Sequence, residues 1–428
     1  MNQKTVKVAF LGLGNIGGGV FSVLQMNGGG IEHREGLRFE LKRALVRDLE
    51  KPRPAGIRKE MLTTNIEDIL SDPEIGLAAE FLGGVDPAFD YLQRLLLAGK
   101  SVVTANKEVI AHRWPELEQA AKAGGAGLYY EASVCGGIPV IKTINESLQS
   151  NEITDIKGII NGTTNHMLSR MSSAGITYSE ALEEAQREGL AEPDPTNDVG
   201  GHDAACKLSI LASIAFHAKV PVSRVFREGI TGVSPADVAQ GRELGYEIKL
   251  LAIGKKRGHT IEARVHPTFI PRSHPLATVS GAYNAVFLQG NAVDNLMLYG
   301  RGAGDLPTAS AVVSDMITAV KAAAHRYNTF ENTPDASNEV EIASDWDTRY
   351  FLHLEVMDRP GVLADIAGAL AKHNVSIASC VQKGWDMDVV PIFIITHRTR
   401  ERAMMQAVED IRKLGTITDV AGLIRVEE

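Results

Sequence analysis

The feature that most constrains the fold of this chain is a glycine-rich turn close to its N-terminus. An apolar, β-branched run, Val6–Leu11, leads directly into Gly12-Leu13-Gly14-Asn15-Ile16-Gly17, and a helical stretch follows over residues 18–26. In such a unit Gly12 permits the turn, Gly14 lets the backbone approach a pyrophosphate, and Gly17 lets the helix pack on the strand. The pattern predicts a Rossmann-type nucleotide-binding domain with the phosphates at the helix N-terminus. The alternative is a glycine turn that binds no nucleotide.

The next predicted strand bears on the choice of cofactor. It covers Phe39–Val46 and ends at Arg47-Asp48. An acid at this strand end binds the ribose hydroxyls of NAD, whereas an arginine accepts the 2′-phosphate of NADP. Because both types are adjacent here, the choice stays open, with Arg47 favouring NADP or the use of both cofactors.

Composition limits the class of protein. The chain has 428 residues, 44% of them hydrophobic and 23% charged, which predicts an ordinary globular protein of two or three domains. A net charge of -9 without a basic stripe argues against a nucleic-acid partner and favours small metabolites. Three scattered cysteines fit a reducing compartment. The absence of a long apolar run or a signal-peptide core predicts a cytoplasmic protein without a membrane partner. The histidines form no HExxH-type cluster, so a catalytic zinc or iron site is not expected.

The second informative stretch runs from Ala185 to Lys207. Two prolines stiffen the loop, a glycine pair precedes a helix, and the following residues 208–216 are strongly apolar. Asp203 and Lys207 are four residues apart, so they share one helix face. Burial lowers the pKa of a lysine and makes it a proton donor near neutral pH. An ordinary intrahelical ion pair is the alternative.

This stretch resembles the signature of the homoserine dehydrogenases. Every fixed position of the signature is present: Ala185, Gly189, Leu190, Ala191, Asp194, Pro195, Asp198, Val199, Gly201, Asp203 and Lys207. A Thr104-Ala105-Asn106-Lys107 tetrapeptide at a strand end is a second feature of that family. The resemblance implies reversible hydride transfer between NAD(P)H and the aldehyde carbon of L-aspartate 4-semialdehyde, giving L-homoserine in the biosynthesis of threonine, methionine and isoleucine.

The resemblance also implies the site residues. Lys207 is expected to donate the proton, Lys107 to lie beside it, and Asp203 to orient Lys207. Substrate contacts are expected from Glu192, Asp198, Asp203 and Thr163, the last in an Asn-Gly-Thr turn that an ordinary turn would also explain. The expected cofactor contacts are Gly12, Gly14, Asn15, Ile16, Gly17, Arg47, Thr104, Lys107, Gly189, Gly302 and Gly304. A monovalent cation, sodium, is implied at Glu131, Val134, Gly136 and Ile138, a segment that a glycine-rich hinge would also explain.

The last part of the chain carries another pattern. Residues 328–348 are polar and acidic and are interpreted as a linker. From Arg349 the element order is βαββαβ, and Asp358-Arg359-Pro360-Gly361-Val362-Leu363 occupies the first turn. This resembles the ACT domain, a module that binds amino acids at paired interfaces. Inhibition by threonine through this module is a hypothesis, and a module that only pairs subunits is the alternative.

The predicted fold class is therefore α/β with three parts. These are a Rossmann-type domain at 1–133, completed by a returning helix at about 305–327, an α+β substrate and dimerisation domain at 134–304, and an ACT domain at 349–428. A homodimer or homotetramer is expected. Two alternative functions are considered. A related amino-acid-pathway reductase would lack the signature and the tetrapeptide, and the presence of both Lys107 and Lys207 argues against an inactive amino-acid sensor.

Overall fold

The structure is a computed structural model that describes residues 3–328, 330, 340–384 and 387–428. The chain forms two compact units, each built from several segments. Unit 1 comprises residues 1–154, 206–223 and 288–340, and unit 2 comprises residues 155–205, 224–287 and 341–428. Of the predicted linker 328–348, residues 329 and 331–339 lie outside the described residues.

The strands and helices are numbered in chain order. The strands are β1 Lys4–Leu11, β2 Leu37–Leu45, β3 Leu62–Thr63, β4 Leu77–Glu80, β5 Ser101–Thr104, β6 Leu128–Tyr129, β7 Ile153–Ile159, β8 Phe226–Arg227, β9 Tyr246–Arg257, β10 Thr260–Pro271, β11 Tyr283–Gly290, β12 Asp294–Arg301, β13 Glu341–Ile342, β14 Asp347–Met357, β15 Ile377–Gln382, β16 Val389–Thr396, β17 Thr399–Arg400 and β18 Ile417–Val426. The helices are α1 Asn15–Glu35, α2 Glu67–Leu70, α3 Ala88–Leu97, α4 Lys107–Gly124, α5 Val140–Lys142, α6 Gly162–Ala174, α7 Tyr178–Arg187, α8 Thr196–Val199, α9 His202–Ala215, α10 Pro235–Glu243, α11 Asp305–Lys321, α12 Val362–Lys372 and α13 Glu401–Arg412.

Unit 1 contains a parallel sheet with the strand order β3-β2-β1-β4-β5-β6. This is the order of a dinucleotide-binding Rossmann sheet, and it confirms the predicted fold class. Val8 and Phe10 of β1 share one buried core with Val20 of α1 and with Val312 and Met316 of α11. The helix that returns late in the chain therefore packs in the same core as the first strand.

Helix α1 is longer than the sequence predicts. The expected helix covers residues 18–26, whereas α1 spans 21 residues and continues through Gly28, Gly29 and Gly30. Each glycine disfavours a helix by about 1 kcal/mol relative to alanine, which is why the sequence pattern breaks there. The helix persists because Ile31, one turn further on, is buried in the core, and it ends at Gly36 in a left-handed conformation with φ 70°.

Unit 2 contains a mixed sheet in which the strands follow the order β11-β7-β9-β10-β18-β14-β16-β15. The predicted βαββαβ module is present as β14, α12, β15, β16, α13 and β18, with its own buried core. Its last strand lies between β10 and β14, where it pairs in parallel with β10 and antiparallel with β14. The C-terminal module therefore shares a sheet with the rest of unit 2.

Charged side chains, most of them buried, reinforce this junction. Arg425 of β18 contacts Glu228 at 2.6 Å and Glu401 at 2.5 Å. Lys255 of β9 lies 2.8 Å from Glu427, a carboxyl group that also pairs with buried Arg264. Removing one partner of a buried ion pair leaves an uncompensated charge, so these contacts hold the module in one arrangement.

No helix in the described ranges is long and apolar enough to cross a membrane.

Candidate active site

The glycine turn after β1 has the geometry that the sequence predicts. Gly12 has a φ of 103°, a conformation that a residue with a side chain rarely adopts. A Cβ atom at Gly17 would lie 2.5 Å from the carbonyl oxygen of Gly12, so only glycine lets α1 pack this closely on the turn. At Gly14 a Cβ would meet nothing within 4 Å. The backbone at Gly14 is therefore open to a ligand.

The N-terminus of α1 is left uncapped. Its N-cap residue is Gly14, no side chain caps it, and the first turn, which begins with Asn15 and Ile16, contains no acidic residue. The first N–H groups of a helix have no partner within the helix and carry the positive end of the helix dipole. This terminus suits an anionic group such as a pyrophosphate.

An arginine that the sequence analysis missed lies beside the turn. Arg53 donates from Nη1 to the carbonyl oxygen of Leu13 at 2.9 Å and from Nη2 to that of Asp48 at 2.9 Å. Its Nε is buried and has no hydrogen-bond partner. Arg47 and Asp48 themselves are exposed just beyond β2. Arg53 follows β2 in a proline-flanked loop, and no spacing rule identifies it.

A buried carboxylate organises the ends of β4 and β5. Glu80 is fully buried, and it accepts a hydrogen bond from Thr104 Oγ1 at 2.5 Å and from the amide nitrogen of Leu82 at 2.6 Å. Burial raises the pKa of the Glu80 carboxyl. Asn106 caps α4 by accepting from the amide nitrogen of Val109, so Lys107 is the first residue of that helix. Glu80 was not predicted, because no local pattern marks it, and Asn106 was noted only as a member of the Thr104–Lys107 tetrapeptide, without a role.

The segment predicted to bind a cation contains a second buried carboxylate. Glu131 accepts from the backbone nitrogens of Ile141 at 2.9 Å and Lys142 at 2.7 Å, at the start of α5. Burial and the nearby Asp315 carboxylate raise the pKa of Glu131 to about 7. Asp315 is paired with the Lys142 ammonium at 2.9 Å. Each Glu131 carboxylate oxygen thus accepts one backbone N–H and keeps a second lone pair.

The other predicted members of this segment lie beside the late glycine turn. Val134 and Ile138 are buried, and Gly136 has a φ of 47°. A Cβ at Gly136 would lie 2.7 Å from the carbonyl oxygen of Gly302, so the two glycine segments approach backbone to backbone. Gly304 is the N-cap residue of α11, which covers Asp305–Lys321 within the predicted range of about 305–327. The structure therefore brings Gly302 next to Gly136.

In unit 2, Asn161 meets two acids of the signature region. Asn161 follows β7 and donates from Nδ2 to Asp198 Oδ1 at 2.7 Å and to Asp203 Oδ2 at 2.9 Å. Thr163 donates from its hydroxyl group to the carbonyl oxygen of Leu190 at 2.7 Å. The predicted residues Asp198 and Asp203 are thus joined through Asn161, whereas Thr163 contacts the backbone of the signature loop at Leu190.

The remaining signature residues have different surroundings. Gly189 has a φ of 72°, which explains why a glycine stands just after α7. Glu192 is exposed, and its carbonyl oxygen accepts from Gln186 Nε2 at 3.1 Å. Asp194 accepts from the backbone nitrogen of Thr196 at 3.1 Å, which starts α8. Lys207 lies in α9, one turn after Asp203, and is half-buried. In the described part of the chain, no group of three or more His, Cys, Asp or Glu side chains could hold a metal ion.

Family models match most of the chain. Residues 12–131 match the homoserine dehydrogenase NAD-binding domain, residues 139–317 match the homoserine dehydrogenase family itself, and residues 350–419 match the ACT domain. The glycine turn after β1 and the signature lie within the first two ranges, and the third range covers the βαββαβ module from within β14 to the start of β18.

Full-length relatives and solved structures agree with these matches. Homoserine dehydrogenase from Mycobacterium leprae is 40% identical over 100% of this chain and 98% of its own length. The enzyme from Synechocystis is 41% identical, with 99% of each chain covered. The crystal structure of a homoserine dehydrogenase from Thiobacillus denitrificans has a TM-score of 0.92 at 41% identity and covers 100% of this chain and 99% of its own. A hyperthermophilic archaeal homoserine dehydrogenase in complex with NADPH has a TM-score of 0.65 at 26% identity, covering 76% of this chain and 100% of its own. The chain belongs to the homoserine dehydrogenase family.

Proposed function

We propose that this protein transfers a hydride reversibly between NAD(P)H and L-aspartate 4-semialdehyde, with L-homoserine as the reduced product. The observation that carries the proposal is the Asn161–Asp198–Asp203 cluster, in a chain that also has an open dinucleotide turn. The cluster offers two carboxylates to a substrate ammonium group. The reaction would belong to the biosynthesis of threonine, methionine and isoleucine, in the cytoplasm.

The cofactor would be held mainly by backbone. Gly12, Gly14 and Gly17 shape the turn, and the N–H groups at Asn15 and Ile16 would bind the pyrophosphate. The nicotinamide supplies the hydride chemistry when it is bound. Further contacts are proposed from Thr104, Lys107, Gly189, Gly302 and Gly304.

Cofactor preference would depend on the loop after β2. Arg47 is exposed there, and Arg53 already donates to the carbonyl oxygens of Leu13 and Asp48. Two guanidinium groups beside the ribose position favour a 2′-phosphate, because arginine binds phosphate in a bidentate manner. We therefore propose NADP as the preferred cofactor, with NAD as the alternative. The archaeal relative in complex with NADPH supports this choice.

The protein must supply a proton and orient the substrate. We assign the proton donor to Lys207, with Lys107 polarising the carbonyl group and lowering the pKa of Lys207 by like-charge repulsion. Asp203 would orient Lys207 one helical turn away. Glu192, Asp198, Asp203 and Thr163 would contact the amino-acid end of the substrate.

A sodium ion is proposed at the segment 131–138. The Glu131 carboxylate and main-chain oxygens at Val134, Gly136 and Ile138 would hold a hard monovalent cation, since such ions take carboxylate and carbonyl oxygens. The Glu131 carboxylate, which accepts from two backbone nitrogens, would shape the segment. Its role would be to fix these residues beside Gly302.

The C-terminal module is proposed to bind threonine and inhibit the enzyme, and to pair subunits in a homodimer or homotetramer. Its last strand joins β10, so a ligand that shifted the module would strain the sheet of unit 2. The domain boundaries given above, at 133, 304 and 349, form part of this proposal.

The test of the proposed function is the initial rate of NADPH and NADH oxidation with L-aspartate 4-semialdehyde, with and without threonine. We expect turnover with the wild-type protein and a fall of ~10²–10⁴-fold in Lys207→Ala, with cofactor binding retained. Lys207→Arg is the matched control, because it keeps the positive charge but has a pKa too high to donate the proton. Unchanged turnover in Lys207→Ala would contradict the assignment.

A further inference from the structure

Both polar atoms of the Asn161 side-chain amide make hydrogen bonds. It is the N-cap residue of α6, and its Oδ1 accepts from the backbone nitrogen of Thr164 at 2.9 Å and from the Thr164 hydroxyl group at 3.0 Å. Its Nδ2 donates to Asp198 at 2.7 Å and to Asp203 at 2.9 Å. A side-chain amide has two donor hydrogens and one acceptor oxygen, so this arrangement uses the whole group.

The orientation of the amide is fixed by chemistry. The Thr164 N–H can only donate, and an ionised carboxylate can only accept, so Oδ1 must face the helix and Nδ2 must face the two acids. Asn161 is 6% exposed and Asp203 is 5% exposed, so water does not compete freely for these contacts. Hydrogen bonds to charged groups in such surroundings are stronger than those between neutral groups.

Helix capping alone does not explain this residue. Serine, threonine and aspartate cap a helix about as well as asparagine does. Aspartate at this position would add a third negative charge beside Asp198 and Asp203. Serine has a single O–H group and could not donate to both carboxylates while its oxygen caps the helix.

The two acids come from separate elements. Asp198 lies on α8 and Asp203 lies in the first turn of α9, yet both approach one nitrogen atom. Two carboxylates placed close together disfavour each other's charge unless a positive group compensates them. The amide provides donors but no net charge. An ammonium group would provide both.

From this geometry we infer that Asn161 is a positioning residue that holds Asp198 beside Asp203 as a receptor for the substrate ammonium group, and so sets specificity for amino-acid substrates. The inference rests on the proposed function for the identity of the substrate. It predicts that loss of the amide weakens recognition of the ammonium group, while helix α6 and the cofactor turn remain unchanged.

The test compares two ligands that differ in the ammonium group alone, L-homoserine and 4-hydroxybutanoate. Their dissociation constants are measured by calorimetry in the presence of NADPH, which prevents turnover of the alcohol. In Asn161→Ser we expect the dissociation constant of L-homoserine to rise ~10–100-fold. That of 4-hydroxybutanoate should stay within about twofold.

Asn161→Ala separates capping from positioning. Serine keeps a capping oxygen and alanine does not, so the alanine variant should melt at a lower temperature than the serine variant. Both variants should lose the same preference for L-homoserine. A binding defect that followed the melting temperature would show a purely structural role and overturn the inference.

The outcomes distinguish this inference from the proposed function. Turnover by the wild-type protein, with an unchanged ratio of the two dissociation constants in Asn161→Ser, would leave the function standing and overturn the inference. No turnover, with L-homoserine binding that depends on Asn161, would overturn the function and support the receptor. If the wild-type protein bound the two ligands equally, the inference would be wrong.

Discussion

The glycine turn at Gly12–Gly17 and the turn at Asn161, here called the cofactor turn and the substrate turn, have the same architecture but suit ligands of opposite charge. Both follow a strand and open a helix: β1 leads through Gly12–Gly17 into α1, and β7 leads through Asn161 into α6. In the first, Gly14 leaves the helix N-terminus without a side-chain cap. In the second, the Asn161 side chain occupies the N-terminus and brings two carboxylates to it.

The comparison shows that capping decides which charge such a turn can bind. An uncapped terminus presents N–H groups and a positive partial charge, so it suits phosphate oxygens. A capped terminus with acids beside it has its donors satisfied and presents negative charge. The helix dipole of α6 favours these acids, which helps two like charges to coexist.

The largest effect is expected when the cofactor turn is given a side-chain cap and a negative charge, the two features that distinguish the substrate turn. Gly14→Asp places a capping carboxylate where the pyrophosphate would bind, and like-charge repulsion should lower kcat/KM for the cofactor by ~100-fold or more. The melting temperature should be maintained or rise, since aspartate is a good N-cap residue. Gly14→Ser is the control, because it caps without charge and should have a smaller effect. Equal kcat/KM for the cofactor in Gly14→Asp and the wild type would contradict the view that the uncapped terminus of α1 binds the pyrophosphate.

A smaller effect is expected from filling the close contact between helix and turn. Gly17→Ala would put a Cβ atom 2.5 Å from the Gly12 carbonyl oxygen and should cost about 1–3 kcal/mol of stability. At the neighbouring Gly18 the nearest atom to a Cβ, on Pro54, is 3.8 Å away. Gly18→Ala is therefore the matched control and should be neutral or stabilising. Denaturant unfolding of both variants measures the difference, and equal losses would show that the turn tolerates a side chain.

The smallest effect is expected at Thr163, in the first turn of α6. Thr163→Val removes the 2.7 Å hydrogen bond to the Leu190 carbonyl oxygen and should cost about 0.5–1.5 kcal/mol. Thr163→Ser keeps the hydroxyl group and serves as the control. If Thr163 also contacts the substrate, KM for L-homoserine should rise in the valine variant and not in the serine variant. A stability change without a change in KM would limit Thr163 to a structural role.

The two turns also differed in how well the sequence predicted them. The roles of Gly12, Gly14 and Gly17 follow from the spacing of three glycines, because a backbone site depends on local conformation alone. The junction of Asn161 with Asp198 and Asp203 joins residues that are far apart in sequence. The spacing to Lys207 singled out Asp203, but no local pattern indicated that Asn161 would contact both acids. Arg53 and Glu80 were missed for the same reason, since their contacts are with residues distant in sequence or in an irregular loop. The extent of α1 was missed because packing of Ile31 outweighs the poor helix propensity of three glycines.

One steady-state experiment tests the central claim that two turns of opposite polarity serve the two substrates. It measures kcat/KM for L-homoserine and for NADP with the wild-type protein, Gly14→Asp and Asn161→Ser. The account predicts that Gly14→Asp lowers the value for the cofactor far more than that for L-homoserine, and that Asn161→Ser does the reverse. The same loss for both substrates in both variants, or no turnover by the wild-type protein, would contradict it.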